Sequence, residues 1–519
     1  MSAIYRHSSA PRSAYSDPAY SLSALLIPLL ALALLLIQGC TASLGVANAP
    51  VSATPSVPDP PPATAPLTIQ PSSATVQAWQ SIQFSLSGAS AGVTCVWSSS
   101  SSSILPLVAD EEFQGQQTGN ATVSVVCGSQ TAQATVVVAP QVPSGPITIT
   151  SGGTYSGIWS SDDPSTPAVT VTTDDPVTIQ DSVITSRGDI ITANGVKTGA
   201  NLTVENVTAT ALDPGVSGLQ RGRFLSGGNF SSLIVKNCTM TGVSFGVYPM
   251  ASTVSAMKIL NNLAINLEDR ASDGQGGLLP QEPSYGHFII LNGIIAPAGA
   301  EIAWNQVVQA MGQSSTTDVI NIYRSQGASG YPIWVHDNYI QGSSSPAEPT
   351  FYGVGIIADG SPTEPVTAFA RFEDNQIVHT AGSGVSIDNG HDITAIGNRV
   401  VSCGQDASGN WYAANFANAA SIWDGYGTGP TLFYNNSVSG TAGGLVRPNS
   451  ESGPMIADFW ADATSMTYPG NSVSENDFTD PCLSGGTLDL AAESAEAAYW
   501  TQKVSAANQV IGDQHLSAQ

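Results

Sequence analysis

Three aspartates in the second half of this 519-residue chain could supply paired carboxylates. Asp359, Asp388 and Asp424 each end a short run with apolar residues: Ile356–Ala358, Val385–Ile387 and Ser421–Trp423. If these runs stack as neighbouring strands about 4.8 Å apart, the carboxylates form a column on one face. Carboxylates about 5 Å apart suit retaining glycoside hydrolysis, and about 6.5–9.5 Å suits inversion.

Two other interpretations of this column stay open. Stacked carboxylates could bind Ca²⁺, a cation that prefers several oxygen ligands. Asp359-Gly360 and Asp424-Gly425 are also turn-forming pairs, so the three aspartates could serve the chain's bends alone. Calcium-assisted elimination is a further alternative to hydrolysis, with Arg324 or His287 as the base.

Aromatic and polar residues near the column have the composition of a sugar site. Aromatic faces stack on sugar rings, while Arg and His donate to hydroxyl and carboxylate groups. We therefore predict a substrate-binding set around the aspartates. Its members are Tyr285, Tyr323, His391, Trp411, Trp423 and Tyr426, with Asp318 and Tyr412 nearby.

A recurring stem indicates which elements hold these residues. Alternating apolar residues run into an Asn, for example at Leu202–Asn206 and Ile333–Asn338, and the shortest interval is 398 − 375 = 23 residues. Such a repeat is typical of a solenoid coil, and Asn suits its bends because it tolerates left-handed backbone. We assign a structural role to the recurring residues Asn206, Asn237, Asn262, Asn305, Asn338, Asn375, Asn398 and Asn436.

The first coils carry a family resemblance. The segments 147–159, 177–180 and 189–191 resemble the start of right-handed parallel β-helices of the pectin-lyase-like superfamily. The resemblance covers residues 146–480 and implies carbohydrate chemistry on the outside of the helix. The polygalacturonase set of motifs, Asn-Thr-Asp, Asp-Asp, Gly-His-Gly and Arg-Ile-Lys, is not found as a set in the sequence, and 388–391 resembles it only loosely.

A smaller module precedes the solenoid. Residues 67–140 contain short alternating runs separated by turns, which predicts a β-sandwich. Cys95 and Trp97 face the same side of one strand, and Cys127 lies in a later one, so an oxidising compartment favours a Cys95–Cys127 disulfide across the core. The elements 93–99 and 134–138 are similar to those of bacterial Ig-like domains, which implies a spacer module.

The N-terminus predicts export. Arg6 and Arg12 precede an uncharged run, Ala24–Ile37, that is shorter than the roughly 20 residues of a membrane span. Leu36–Cys40 resembles a bacterial lipobox, which implies a signal peptide over 1–40, lipidation of Cys40 and a membrane anchor. Residues 41–66, rich in Pro, Ala, Ser and Thr, are expected to form an extended linker. The expected location is the bacterial cell envelope, lipid-anchored, or the medium if secreted.

Charge and the remaining cysteines complete the predictions. A formal charge of −25 and a pI near 4.2 oppose binding to nucleic acid. Cys238, Cys403 and Cys482 leave one cysteine unpaired whichever two combine, and a Cys403–Cys482 bridge is one option. The tail, 481–519, contains an Ala-rich helical stretch that could cap the open end of the solenoid.

The sequence thus predicts an all-β fold: a right-handed parallel β-helix solenoid preceded by a small Ig-like β-sandwich. Three classes of function stay open. The first is an enzyme that hydrolyses or eliminates extracellular polysaccharide, the second a surface protein that binds glycan or protein without catalysis, and the third a structural surface protein. The expected partners are a polysaccharide or cell-surface glycan and, through the anchor, a membrane.

Overall fold

The architecture comes from a computed structural model. It describes residues 66–140, 143–195, 197–279, 285–343, 353–414, 417–449, 453–457, 459–477, 481–484 and 487–513. The predicted signal peptide, Cys40 and nearly all of the linker lie outside these residues. Within them, no helix has the length and apolar character that a membrane span requires.

The N-terminal module is built from nine short strands in three small sheets. β2, β9, β8 and β5 form a four-stranded sheet, β3, β7 and β6 a three-stranded one, and β1 pairs with β4. Phe84 and Phe113 are buried between them, with their ring centroids 5.8 Å apart. The strands are β1 Thr68–Gln70, β2 Ser73–Gln77, β3 Ser81–Gln83, β4 Ser85–Ser87, β5 Cys95–Ser99, β6 Leu107–Ala109, β7 Glu112–Gln114, β8 Gly119–Cys127 and β9 Gln130–Ala139.

The module contains the Cys95–Cys127 disulfide, but not in the predicted place. Cys95 and Cys127 are register partners on the adjacent antiparallel strands β5 and β8, with Cα atoms 4.3 Å apart. The bond therefore joins neighbours within one sheet and does not cross the core. Strand parity predicted which faces the cysteines share, but it carries no information on which strands pair.

The remainder of the chain contributes 33 further strands, one short 3₁₀ turn, Ser465–Thr467, and one α-helix, α1 Ala491–Ala506. The first seventeen strands of this set are β10 Ile147–Ile149, β11 Gly153–Tyr155, β12 Ile158–Ser161, β13 Val169–Val171, β14 Val177–Ser186, β15 Ile191–Asn194, β16 Ala200–Ala211, β17 Leu225–Gly228, β18 Phe230–Lys236, β19 Thr239–Thr241, β20 Phe245–Met250, β21 Ala256–Leu260, β22 Leu263–Ile265, β23 His287–Asn292, β24 Ala300–Ala303, β25 Gln306–Val308 and β26 Asp318–Tyr323. The others are β27 Ile333–His336, β28 Tyr339–Ser343, β29 Val354–Asp359, β30 Ala368–Glu373, β31 Gln376–Thr380, β32 Val385–Ile387, β33 His391–Ile396, β34 Arg399–Ser402, β35 Ala420–Ile422, β36 Ser437–Ser439, β37 Ala442–Asn449, β38 Gly453–Ile456, β39 Phe459–Ala461, β40 Ser472–Ser474, β41 Leu483–Ser484 and β42 Thr487–Leu488.

Two long sheets dominate this part of the chain. An 11-stranded sheet, parallel throughout, has the order β10-β13-β15-β17-β20-β23-β26-β29-β32-β35-β39, and the strands between its members belong to a 20-stranded sheet. The chain therefore returns to each sheet once per coil and adds the new strand beside the previous one. This is an all-β arrangement with long parallel sheets, as the alternation predicted, and it is compatible with a β-helix.

The interior is a set of apolar columns. Val247, Ile289, Ile320, Ile356 and Val385 are successive register partners in the 11-stranded sheet, and each is no more than 1% exposed. Burial of each such side chain contributes about 1.5–3 kcal/mol before the entropy of ordering is counted. Because side chains alternate across a strand, the residues between these columns face outward.

The recurring asparagines occupy three different positions. Asn262, Asn305, Asn338, Asn375 and Asn398 form one buried ladder, in which each amide nitrogen donates to the next side-chain oxygen at 2.9–3.0 Å. Asn206 and Asn237 lie one residue earlier in their coils, with φ of 52°, in the left-handed bend itself. Asn436 lies at another corner, where its amide donates to the Gly390 carbonyl.

The C-terminal segment, 487–513, runs along the side of the 20-stranded sheet and does not cover the last coil. A Cys403–Cys482 disulfide fixes the chain just before this segment, with Cα atoms 5.1 Å apart. Trp500 of α1 stacks on Tyr339 of β28, and the hydroxyl of Thr208 in β16 donates to Asp513. The Ala-rich tail was expected to cap the open end of the coils, but it packs against the side of the 20-stranded sheet instead. Cys238 is the free cysteine among the described residues.

Candidate functional site

The outer face of the 11-stranded sheet carries two rows of side chains that do not enter the core. One row contains the register partners Ile290, Asn321, Ile357, Ser386, Ser421 and Trp460. The second, two residues further along each strand, contains Met250, Asn292, Tyr323 and Asp359. These rows position the polar groups described below, and we refer to this surface as the outer face.

A hydrogen-bond network links two carboxylates on this face. The amide nitrogen of Asn321 donates to Asp318 Oδ2 at 3.1 Å and to Asp359 Oδ2 at 3.2 Å. The Tyr426 hydroxyl and the backbone N–H of Gly360 both donate to the other oxygen of Asp359, Oδ1. Asp359 is 4% exposed, so its orientation is fixed by donors from three separate parts of the chain.

Asp388 lies one strand away from Asp359. The pairing of Ala358 with Ile387, continued by one residue, aligns the two aspartates, and neighbouring strands are about 4.8 Å apart. Ser386 donates to Asp388 and lies 2.6 Å from the Ser421 hydroxyl. Two of the three predicted column aspartates are therefore neighbours.

Asp424 is not part of this column. Ile387 pairs with Ile422, which aligns Asp388 with Trp423 and leaves Asp424 one residue further on. Its carboxylate accepts from the backbone N–H groups of Thr428 and Gly429 at 2.8 and 2.7 Å. It fixes its own loop, which is the turn-forming role left open for the Asp-Gly pairs.

His287 begins β23 on the same face and is buried. Its Nδ1 lies 2.8 Å from the backbone oxygen of Asp318, which can only accept, so Nδ1 carries the proton and Nε2 carries the lone pair. The ring centroid lies 5.6 Å from that of Phe245. Burial lowers the pKa of His287 to about 4, despite the opposing effect of the Asp318 carbonyl and the Asp359 charge. His287 is therefore neutral at pH 7.

Arg223, Phe245 and Tyr248 extend the face toward the earlier coils. Phe245 and Tyr248 stack with centroids 5.2 Å apart, and the Arg223 guanidinium lies over both rings. The Asn292 amide donates to the Tyr248 hydroxyl at 3.2 Å. The Phe245 and Tyr248 rings therefore hold the Arg223 guanidinium on the outer face.

Six of the predicted site residues lie on or beside the outer face: His287, Tyr323, Asp359, Asp388, Trp423 and Tyr426. Trp423 packs against Trp460 with centroids 5.4 Å apart. Tyr323 stands between Asn292 and Asp359 in the second row. Tyr285, in the segment before β23, is 47% exposed.

Other predicted residues lie elsewhere. Arg324 occupies the bend after β26, and its Nε donates to the Pro365 carbonyl at 3.2 Å. His391 belongs to β33 of the 20-stranded sheet, where it stacks on Tyr434. Trp411 packs near the Cys403–Cys482 disulfide.

Tyr412 lies on that same side of the molecule, away from the outer face. Its hydroxyl donates to Glu493 of α1. Burial and the Glu493 charge raise the pKa of Tyr412 well above its ordinary value of 10. This Tyr therefore helps to hold the C-terminal segment.

The calcium alternative receives no support from the geometry. Among the described residues, no group of three or more His, Cys, Asp or Glu side chains is placed to hold a metal ion. Asp359 and Asp388 instead accept hydrogen bonds from Tyr, Asn, Ser and backbone donors.

Arg223, Tyr248 and Asn321 belong to the site but were not predicted from the sequence. Asn321 had a detectable signal, because it stands two residues before Tyr323 in an alternating strand and so shares its outward face. Arg223 precedes its strand in a segment without periodicity. Its position depends on the aromatic residues of the next coil, which the sequence does not align.

Comparison with known proteins adds no identity to this geometry. The chain matches no protein-family model and no curated protein. The site therefore has to be interpreted from its own chemistry: two neighbouring carboxylates in a fixed hydrogen-bond network, a neutral histidine and a row of aromatic rings.

Proposed function

We propose that this protein is an exported bacterial lipoprotein that hydrolyses an extracellular polysaccharide on the outer face of a right-handed parallel β-helix. Cys40 would carry the lipid, the linker would extend from the membrane, and the N-terminal module would be an Ig-like spacer. The observation that supports hydrolysis best is the alignment of Asp359 with Asp388 on neighbouring strands. Strands about 4.8 Å apart would allow the carboxyl groups the separation of about 5 Å that suits a retaining mechanism.

The two carboxylates have different surroundings, which suggests different roles. Asp359 accepts from Tyr426, Asn321 and the Gly360 N–H, and these donors orient it as a nucleophile. Asp388, held by Ser386, would protonate the departing sugar oxygen and then activate water. The oxygen of Asn321 is buried and accepts no hydrogen bond from the described residues, so a sugar hydroxyl would give it a partner.

Substrate access requires movement of the loop 423–429. Gly425 donates its N–H to the Asp388 carbonyl at 2.9 Å, and Tyr426 contacts Asp359 two strands away. Asp359 and Asp388 are only 4% and 8% exposed with the loop in this position. Gly427 and Gly429 have φ of 66° and 75°, which side chains rarely adopt, so glycine suits these bends.

Cleavage assays on a polysaccharide panel test this function. We expect new reducing ends with the wild-type protein, and a loss of about 100-fold or more in Asp359→Asn and Asp388→Asn. Asp406→Asn is the matched control, because the hydrogen bonds that Asp406 accepts from described residues all lie within an exposed loop. An ultraviolet-absorbing unsaturated product would show elimination instead, and unchanged cleavage in both variants would refute the assignment.

A noncatalytic glycan binder is the second candidate. The low exposure of both carboxylates favours it, as does the exposed ring of Trp460, which is 42% accessible. Retention of a glycan by the wild-type protein, without any cleavage over long incubation, would identify this function. Trp460→Ala should then weaken retention, since stacking of a sugar on the aromatic ring is lost.

A further inference from the structure

A polar pocket of about 310 Å³ opens at the early coils, away from Asp359 and Asp388. We call it the Arg223 pocket. Its walls include Pro164, Pro167, Asp189, Arg221, Arg223 and Ser244. Arg223 precedes β17, and β17 is four strands from β29 in the sheet order, so about 19 Å separates the pocket from the Asp359 coil.

Arg223 is held in place, but its guanidinium has no polar partner in the part of the chain that the structure describes. Its Cζ lies 5.3 Å from the Phe245 ring centroid and 5.1 Å from that of Tyr248. Its backbone N–H donates to Asp189 Oδ1 at 2.9 Å, while Asp189 Oδ2 accepts from Ser226 at 3.0 Å. Among the described residues, the Arg223 side chain makes no ion pair and no hydrogen bond. Its planar set of donors is therefore available for a ligand.

The residues that line the pocket carry a net positive charge. Two arginines, Arg221 and Arg223, and one carboxylate, Asp189, give a sum of +1 in a chain of −25, while Asp163 lies beside the pocket and accepts from Ser165. Burial would raise the pKa of Asp213, but hydrogen bonds and the charges of Arg221 and Arg187 lower it. Asp213 thus offsets part of the charge of those two arginines. The Arg223 guanidinium, in contrast, forms no ion pair with a carboxylate among the described residues.

We propose that the Arg223 pocket binds the anionic group of an acidic sugar residue, so that the substrate is an acidic polysaccharide. This inference rests on the proposed function and identifies its substrate class. A guanidinium matches a carboxylate or a sulfate ester with two parallel hydrogen bonds. A spacing of four strands, about 19 Å across the sheet, makes the pocket a recognition subsite, several sugars from the cleaved bond.

Isothermal titration with defined oligosaccharides tests the pocket. The probes are an oligouronate, a sulfated neutral oligosaccharide and its unsulfated parent, in about 0.15 M salt to screen long-range repulsion. We expect binding of an anionic probe and at least tenfold weaker binding of the neutral one. The oligouronate and sulfated arms show which anionic group is bound.

Matched variants separate the pocket from general charge. We expect Arg223→Gln to weaken anionic binding about tenfold or more, and Arg223→Lys to weaken it less, because it keeps the charge but loses the planar fork. Arg371→Gln is the control, since Arg371 pairs with Glu373 on the 20-stranded sheet. Thermal melting of each variant verifies folding.

The outcomes distinguish this inference from the proposed function. If the anionic probes bind selectively, binding depends on Arg223 and no polysaccharide is cleaved, the pocket is confirmed and hydrolysis is refuted. Cleavage that is equal on neutral and acidic polymers, and unchanged in Arg223→Gln, refutes the pocket and leaves hydrolysis standing. Equal binding of all three probes, or loss of binding in Arg371→Gln as large as in Arg223→Gln, also refutes the pocket.

Discussion

His287 makes the fold sensitive to acid. Burial lowers its folded-state pKa to about 4 from an ordinary value of 6.5, so the folded protein resists the proton that the unfolded chain accepts. This contribution to stability is complete above pH 6.5 and is lost as the pH falls toward 4. We expect a loss of up to about 3 kcal/mol over that range.

Urea unfolding at pH 7 and pH 4.5 measures this effect. The comparison variant is His287→Asn, whose amide can donate to the Asp318 carbonyl but does not titrate. The carboxylates titrate equally in both proteins, so the wild type should lose more stability than the variant. An equal loss in the two proteins would show that His287 is not the acid-sensitive group.

The asparagine ladder is a separate contribution at the residue scale. Asn338 is fully buried, its amide donates to the Ile302 carbonyl and to Asn375, and its oxygen accepts from Asn305. Asn338→Ala leaves several of these groups without partners, at about 1–3 kcal/mol each. We expect the free energy of unfolding to fall by about 3 kcal/mol or more, measured by chemical denaturation.

An exposed asparagine provides the control for the ladder. Among the described residues, Asn410 bonds only to Asp406 within a surface loop, and Asn410→Ala should cost less than about 1 kcal/mol. Equal effects of the two substitutions would contradict a structural ladder.

Individual positions in the site were predictable only where strand alternation fixed them. The alignment of Asp359 with Asp388 follows from two similar strand ends. The same argument failed for Asp424, because matching its Asp-Gly pair to that of Asp359 ignores the true register, which is set by the packing of Ile387 and Ile422. A one-residue difference in register moves a side chain from the column into the loop.

At the scale of elements, Trp500 is the buried aromatic residue that packs α1 against the sheet, beside the hydrogen bonds of Glu493 and Glu496. Its indole is 2% exposed, stacks on Tyr339 and Trp304, and donates to Gln306 at 2.9 Å. We expect Trp500→Ala to cost about 3–5 kcal/mol of helix packing. Hydrogen exchange should then become faster in α1 while the two long sheets stay protected, since local opening need not unfold the coils.

Tyr499 supplies the neighbouring control, because it is 53% exposed. Tyr499→Ala should leave the exchange of α1 close to that of the wild type. Faster exchange across both sheets in Trp500→Ala would mean that the helix holds the two long sheets together.

The existence of this helix was predictable, but its location was not. Its Ala-rich composition favours a helix, which the structure has. Its binding surface is formed by residues from several coils, such as Gln306, Gln376 and Arg399, which no local pattern brings together. The Cys403–Cys482 bond, one option in the sequence, fixes the direction in which the tail leaves the last coils.

At the scale of the whole molecule, the fold class followed from alternation and repeat length. Alternating apolar residues on many short strands favour an all-β chain, and the recurring stem indicated parallel stacking. The network around Asn321 could not be predicted in the same way, because it joins β26, β29 and the loop 423–429 through tertiary contacts. Inserted loops of variable length hide that proximity in the sequence.

Net charge gives a prediction for the whole molecule. A chain of −25 repels an acidic polysaccharide over the Debye length, about 30 Å at 0.01 M salt and about 8 Å at 0.15 M. We expect the association rate with an oligouronate to rise as salt increases over this range, measured by stopped-flow fluorescence. A rate that falls with salt would indicate attraction by a basic surface, contrary to the charge distribution.

The central claim, that the outer face of the 11-stranded sheet is the glycan site, has one direct test. It is the crystal structure of Asp388→Asn with a bound acidic oligosaccharide. We expect the sugar chain to lie over the outer face, with its cleavable bond beside Asp359 and an anionic group at Arg223. Sugar density on the 20-stranded sheet or on the N-terminal module, with the outer face empty, would contradict the claim.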